Sequence, residues 1–334
     1  MPELPENNNL GQDSKPNFYI GSLGIYGRLV VAPMDGFTDS PFRRIACQHG
    51  AALCFTEFIN NLDVTQGHPR LDEKLKYSID EKPIGFQLYD SEPNRFVTAA
   101  QILIEKWRPD LFDVNLGCAN RRVTGRGAGA ALLTKPDRIA RIFNLLSSVL
   151  DIPVTAKIRL GWDESQINYL ETTKVLEDNG CQAISVHART RSQAFSEPAR
   201  WNAIAEIKSL SRIPIIANGD IIDQEGIQTV MQYTGCDAVM IGRAAIGNPW
   251  LFSHKDGSVI EPSQVVGTII QHLSLSLEHY GQEGIIKFRK HMLQYLKWLH
   301  VSDKERKKLL TSLNLNEITE LLSSLLNDAD QSFE

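Results

Sequence analysis

Short apolar, β-branched runs recur along the chain, each followed by a segment of helical length. They are Leu29 to Ala32, Leu53 to Thr56, Ile84 to Leu88, Leu111 to Leu116, Val154 to Ile158, Ala183 to Val186, Ile213 to Ala217 and Ala238 to Ile241. The runs are continuous and do not alternate, the pattern of parallel strands covered on both faces. Their starts fall mostly about 25–30 residues apart, the length of one β-loop-α-loop unit. The intervening segments read as amphipathic helices. Pro136 to Leu150, for example, carries Ile139, Ile142, Phe143, Leu145 and Leu146 at helical spacing, with proline at a first-turn position. Eight such units in series predict an α/β protein of the (β/α)8 TIM-barrel type. A doubly wound dinucleotide fold would place G-x-G-x-x-G directly after its first strand. The nearest stretch, Gly125-Arg126-Gly127-Ala128-Gly129, has the wrong spacing and follows the fourth run.

Beyond about Pro249 the pattern changes to consecutive helices: Val265 to Tyr280, Gly284 to His300, Asp303 to Leu313 and Leu315 to Leu326. The expected organisation is a disordered extension over 1–17, polar and rich in Asn, Pro and Glu, then a catalytic barrel over 18–255 and a smaller all-helical domain over 256–334. A length of 334 residues with 42% hydrophobic and 22% charged residues suits a barrel of roughly 250 residues plus that domain. The same figures exclude collagen-like and wholly disordered chains.

Charge narrows the choice of partner. The net charge is −5, so a nucleic acid would have to be held locally. Between 281 and 310 lie Lys287, Arg289, Lys290, Lys297, Lys304, Arg306, Lys307 and Lys308 against Glu283, Asp303 and Glu305, a local basic footprint of the kind a phosphate backbone needs. No run of about 18 apolar residues is present to span a membrane. The first residues lack the apolar core of a secretory signal. Five cysteines, an odd count with no C-x-x-C pair, argue against a disulfide framework or a thiolate metal site. A cytoplasmic monomer with no membrane or metal partner is expected.

In a barrel the chemistry sits at the C-terminal strand ends. Those ends carry Met34-Asp35, Glu57, Gln87, Asn115, Lys157 with Arg159, His187, Asn218 with Asp220, and Gly242-Arg243. A single polar residue there is ordinary; eight converging on one mouth are not. Asn218-Gly219-Asp220 and Gly242-Arg243 stand after the seventh and eighth strands, where barrels commonly hold phosphate through glycine-exposed amides, a helix N-terminus and a forked arginine.

The chain carries, in this order, Ala32-Pro33-Met34-Asp35-Gly36-Phe37-Thr38-Asp39, Thr56-Glu57-Phe58, Gln87, Asp113-Val114-Asn115-Leu116-Gly117-Cys118, Lys157-Ile158-Arg159, Val186-His187-Ala188-Arg189-Thr190, Asn218-Gly219-Asp220 and Cys236 to Arg243. Together these segments resemble the tRNA-dihydrouridine synthases. One departure is Ala119, where the family usually has proline directly after its cysteine.

The resemblance implies reduction of the 5,6 double bond of uridines in tRNA, with flavin mononucleotide (FMN) reduced by NADPH or NADH. On that pattern Pro33, Met34 and Asp35 line the flavin rings and Gln87 touches their polar edge. Lys157 lies near N1 and the C2 oxygen, where negative charge collects, and His187 adds a polar contact. Asn218, Gly219, Asp220, Gly242 and Arg243 hold the phosphate. Cys118 is the general acid, and a thiol with a reference pKa near 8.5 is mostly protonated at pH 7. Asn115 reads the uracil edge, Arg159 contacts the base or its phosphate, and Arg121 and Arg122 face RNA phosphate. The target base must leave its stack to reach such a mouth. Two other readings compete: a flavin barrel acting on a free pyrimidine or enone, and an RNA-binding barrel that has lost catalysis, the latter suggested by Ala119.

Overall fold

The computed structural model describes residues 15–253 and 260–331, the last five as backbone only. Residues 1–14 of the expected extension, and the expected 255/256 boundary, lie outside the described residues. Asn17 already belongs to the fold: its side chain accepts a hydrogen bond from the Gly27 amide at 2.6 Å.

Eight parallel strands close on themselves. They are β1 (Leu29–Val31), β2 (Leu53–Phe55), β3 (Ile84–Tyr89), β4 (Leu111–Leu116), β5 (Val154–Arg159), β6 (Ile184–His187), β7 (Ile215–Asn218) and β8 (Ala238–Ile241). Each pairs with the next, β8 returns to β1, and the pairing of β2 with β3 completes the cylinder. The expected (β/α)8 barrel is therefore present. Strand β7 starts at Ile215 and not at Ile213, because Pro214 has no N–H to give the ladder and only its carbonyl accepts, from Ile184 at 3.0 Å.

Around the barrel run α1 (Ser40–Gln48), α2 (Asn61–Thr65), α3 (Pro93–Trp107), α4 (Pro136–Val149), α5 (Tyr169–Asp178), α6 (Trp201–Leu210) and α7 (Gln224–Thr234). In α4 the stripe Ile139, Ile142, Phe143 and Leu146 is wholly buried, while Leu145 turns partly outward. At full burial such side chains contribute roughly 1.5–3 kcal/mol each.

The barrel interior is layered. Its lower part is apolar, with Val30, Phe55, Leu111, Ile216 and Ala238 in one cluster. Gly85 makes room there, since a Cβ would stand 2.5 Å from the Phe55 ring. A hairpin of Phe18–Ile20 and Leu23–Ile25, which the run pattern did not reveal, closes the bottom by burying Ile20 and Ile25 in that cluster. Inward positions turn polar toward the strand C-termini. The ladder aligns Gln87 with Asp113 and Asp113 with Thr155, then Asn115 with Lys157, and His187 with both Arg159 and Asn218.

Four further helices, α8 (Pro262–Tyr280), α9 (Glu283–Tyr295), α10 (Asp303–Thr311) and α11 (Leu315–Gln331), form a second core with Trp250. Helix α9 ends earlier than periodicity suggests, turning into a 3-10 segment at Leu296–Trp298 whose Trp298 indole donates to the Gly247 carbonyl at 2.7 Å. The basic residues of α9 are occupied. Lys287 pairs with Glu73 at 2.9 Å, Arg289 donates to the Thr311 carbonyl at 3.0 Å, and Lys290 donates to the Gly36 carbonyl. Lys297, Lys304, Arg306, Lys307 and Lys308 stay exposed. No helix among the described residues is long and apolar enough to cross a membrane.

Candidate active site

The strand C-termini surround a cavity of about 330 Å³. Its wall gathers Pro33, Met34, Gln87, Asn115, Cys118, Lys157, Arg159, His187, Asn218, Gly219, Asp220, Gly242 and Arg243, residues the sequence had marked one by one. Four marked residues stay off the wall, among them Glu57, which is half-buried and lies 3.6 Å from Lys74. Asp35 is exposed beside the wall, 3.5 Å from Lys74. Arg121 and Arg122 are exposed on the short helix Arg121–Thr124 that follows the Cys118 loop.

A chain of side-chain hydrogen bonds crosses the barrel beneath the cavity. The Thr155 hydroxyl donates to Asp113 Oδ1 at 2.6 Å, and Gln87 Nε2 donates to Asp113 Oδ2 at 2.7 Å. Gln87 Oε1 then accepts from Asn115 Nδ2 at 2.7 Å, and Asn115 Oδ1 accepts from the Gly117 and Cys118 amides at 3.1 and 2.9 Å. A carboxylate can only accept, so Asp113 sets the direction of both amides. Burial lifts the Asp113 carboxyl to about 6. Asn115, expected to read a base, is thus engaged in fixing the backbone of the cysteine loop.

That loop is clamped from its other side as well. The Ala130 amide donates to the Cys118 carbonyl at 3.1 Å. Gly129, at φ +59°, sits so close that a Cβ would stand 2.9 Å from that carbonyl oxygen and 3.1 Å from Cys118 Cβ. Asn120 caps the following helix, its side chain accepting from the Arg122 amide at 2.9 Å. These bonds hold the loop without the proline that Ala119 replaces. Burial raises the Cys118 thiol above its ordinary pKa, against the opposing pull of the Asn120 amide and the Arg159 charge. The thiol therefore carries its proton at neutral pH. Gly129→Ala is expected to cost about 1–2 kcal/mol for the left-handed backbone and to displace Cys118. Thermal melting and thiol-alkylation rate, compared with the parent chain, check both.

Cations dominate the remaining wall. Lys157 Nζ donates to Asn218 Oδ1 at 3.1 Å, and burial, helped by the Arg159 charge, lowers its pKa to about 8. Asn218 is oriented in turn by donating to the Met240 carbonyl at 2.8 Å, so its amide positions the lysine. Arg159 is fastened to the carbonyls of Gly117, Thr190 and Ala194, with burial and the Arg189 charge lowering its pKa to about 10. Burial and these cations keep His187 neutral, and its Nε2 lies 3.4 Å from the Arg189 guanidinium.

Two wall residues were given no role from the sequence, although Arg189 stands within a segment that carries the family resemblance. Arg189 takes the Asp220 carboxylate in a two-pronged pair at 2.7 and 2.6 Å, which removes that negative charge from the cavity. Phe195, more than half exposed, lies 4.0 Å from the Arg243 guanidinium and 5.9 Å from the His187 ring. Arg189 stands just past its strand end and Phe195 lies on a loop, where strand periodicity is silent.

Arg243 has no carboxylate partner among the described residues, although it lines the cavity. Gly219, at φ +120°, brings backbone close to His187, where a Cβ would stand 3.1 Å from the ring. A cavity of this size with an apolar floor at Ala32, Met34 and Met240, cationic walls and an unpaired arginine fits a planar ring carrying a phosphate. Such a site suits a barrel enzyme that holds an anionic ring cofactor beside a protonated thiol.

Known proteins share the pattern. The dihydrouridine synthase family model matches residues 30–330. The tRNA-dihydrouridine synthase B of Pasteurella multocida is 39% identical over 286 residues, covering 83% of this chain and 86% of the relative. The probable tRNA-dihydrouridine synthase 1 of Synechocystis is 33% identical over 320 residues, covering 93% and 89%. The chain belongs to the dihydrouridine synthase family, whose members are flavin-dependent oxidoreductases. Among solved structures, histamine dehydrogenase from a Rhizobium species aligns with a TM-score of 0.51 at 15% identity, over 83% of this chain and half of that one. The Amycolatopsis orientalis BexX/CysO complex aligns with a TM-score of 0.50 at 16% identity, over 72% and 91%. These two likenesses concern the fold alone.

Proposed function

We propose that this chain reduces the 5,6 double bond of uridines in tRNA, acting in the cytoplasm with FMN as cofactor and NADPH or NADH as reductant. The observation that carries the reading is a half-buried thiol, clamped through its backbone at the edge of a cationic cavity whose Arg243 lacks a carboxylate partner among the described residues. FMN, when bound, supplies the hydride that adds to C6 of uracil. Arg243, with the backbone around Gly219 and Gly242, would hold its phosphate, and Pro33 and Met34 would line its rings. Lys157 would place a positive charge where negative charge gathers on the ring, and Gln87 and His187 would offer polar contacts. Cys118 gives its Sγ proton to C5 of uracil and recovers one from water, so the base gains one hydride and one proton. Arg121 and Arg122, exposed beside Cys118, would face RNA phosphate, and Arg159 on the cavity wall would contact the base or its phosphate. Excluding water from the cavity would strengthen each of these charges.

The reading is tested by mixing chemically reduced, flavin-loaded protein with tRNA under anaerobic conditions. Flavin reoxidation by tRNA, and much slower reoxidation by free uridine, is expected. Fast reoxidation by free uridine would favour a small-molecule reductase.

Residues 256–334 would then dock the tRNA. Because Lys287, Arg289 and Lys290 are spent on internal contacts, the exposed lysines of α10 are the better candidates. Lys304 and Lys307 lie three apart on one helical face. Replacing both by alanine should weaken tRNA binding and lower the slope of log affinity against log salt by about one for each phosphate no longer neutralised. Filter binding across a salt series measures this, and an unchanged slope would leave α10 a solvated helix.

A further inference from the structure

At the joint between barrel and helical domain, three buried side chains from different elements meet. Asp39 caps α1, His272 lies on α8 and His291 on α9. One ligand-capable atom from each lies within 4.8 Å of the other two, and the three are 8%, 0% and 1% exposed. We propose that they form a site for a divalent transition cation, Zn²⁺ foremost, that fastens the helical domain to the barrel. This proposal stands apart from the reading of the cavity as a flavin site.

The hydrogen bonding points to a missing partner. Among the described residues, both ring nitrogens of His291 are buried without a hydrogen-bond partner, and so is Nε2 of His272. Buried polar atoms of native proteins are nearly always satisfied, so three orphans in one cluster call for a ligand. A cation would take the lone pair of one nitrogen from each ring. The second His291 nitrogen would keep its proton and stay without a protein acceptor among the described residues, whereas the contacts of His272 and Asp39 suit that arrangement. His272 Nδ1 lies 3.2 Å from the Tyr295 hydroxyl, which can accept the Nδ1 proton and leave Nε2 as a lone-pair donor, the outer support usual for metal-bound histidine. The two imidazoles have ring centres 4.6 Å apart at 44°, near enough to share one ion. Asp39 accepts from the Phe42 amide and the Tyr280 hydroxyl, both at 3.1 Å, which fixes the carboxylate and leaves lone pairs free. Lys290, 3.9 Å from Asp39, is the one feature that opposes a cation, and its ammonium is also bound to the Gly36 carbonyl.

Two imidazoles and one carboxylate select zinc or a similar borderline ion over calcium or magnesium, which demand oxygen shells. The fourth position falls to water. Asp39 follows Thr38, whose hydroxyl is bonded to both the amide and the carbonyl of Met34 on the cavity wall. The cation would therefore tie α8 and α9 to the loop that lines the active site.

The test uses full-length protein without a histidine tag, stripped with a chelator and titrated with Co²⁺ as a spectroscopic stand-in. The expected result is about one Co²⁺ per chain with visible d–d bands, displaced by Zn²⁺, and a higher melting temperature with metal than without. His291→Phe should keep the stacking with Phe42 and lose the bands. Asp39→Asn, which preserves the helix cap, should also lose them. If His291→Phe does not fold, Asp39→Asn and X-ray absorption on the parent chain decide the matter through the presence of two imidazole ligands. Absence of d–d bands in the parent chain, or their persistence in the folded variants, would make the cluster a packed imidazole pair and overturn the proposal.

Discussion

Cys118→Ala is expected to slow the reduction of uridine in tRNA by roughly 10²–10⁴-fold, the usual contribution of a positioned general acid. Flavin content and nicotinamide oxidation should be unchanged, because neither needs the C5 proton. The loop should survive the change, since its clamps are backbone bonds to Asn115 Oδ1 and the Ala130 amide that alanine leaves in place. Single-turnover reoxidation of the reduced enzyme by tRNA measures the step directly. The pH dependence supplies a second handle. Burial raises the thiol pKa, so the proton donor is intact through neutral pH and is lost only as pH climbs through that raised value. Both proteins should share any fall near pH 8 as Lys157 loses its charge, and only the parent enzyme should show the further fall as pH climbs through the raised thiol pKa. Parent-like speed in the variant would make Cys118 a bystander.

Arg243→Ala is expected to weaken flavin retention by roughly 10–100-fold. A hydrogen bond to a charged group contributes about 1.5–3 kcal/mol, and each 1.4 kcal/mol is about tenfold in affinity. Arg243 is a wall cation with no carboxylate partner among the described residues, which leaves its fork available, while Arg189 is consumed by Asp220. Arg243→Lys should recover only part of the loss, because a point charge replaces the two-pronged contact. Quenching of flavin fluorescence during reconstitution reads the affinity. Equal affinity in all three proteins would place the phosphate elsewhere.

The barrel was legible because parallel strands covered on both faces leave uninterrupted apolar runs, and those of Ile84, Leu111 and Ala238 begin where the strands begin. Strand-end polarity likewise marked about half of the cavity wall, while Pro33 and Cys118 came from the family resemblance. What the sequence could not carry was how those side chains pair. Nothing in the spacing of Asn115 tells that its amide is spent on Gln87 and the Cys118 loop, or that Asn218 serves Lys157. Phe195 escaped for another reason, because loops have no period to read. For the basic run of α9, charge counts do not register Glu73 and the Gly36 carbonyl, which lie far off in sequence. His272 and His291 are separated by a whole turn between helices, and only folding brings them to Asp39.

The most direct test of the central claim is the mass of nucleosides from tRNA of a strain lacking this gene, treated with the purified flavin-loaded protein and NADPH. The account predicts uridines that gain two hydrogens at defined positions, with the gain nearly abolished in single-turnover assays of Cys118→Ala. A flavin-loaded, NADPH-oxidising protein that leaves every uridine of that tRNA unreduced would contradict it.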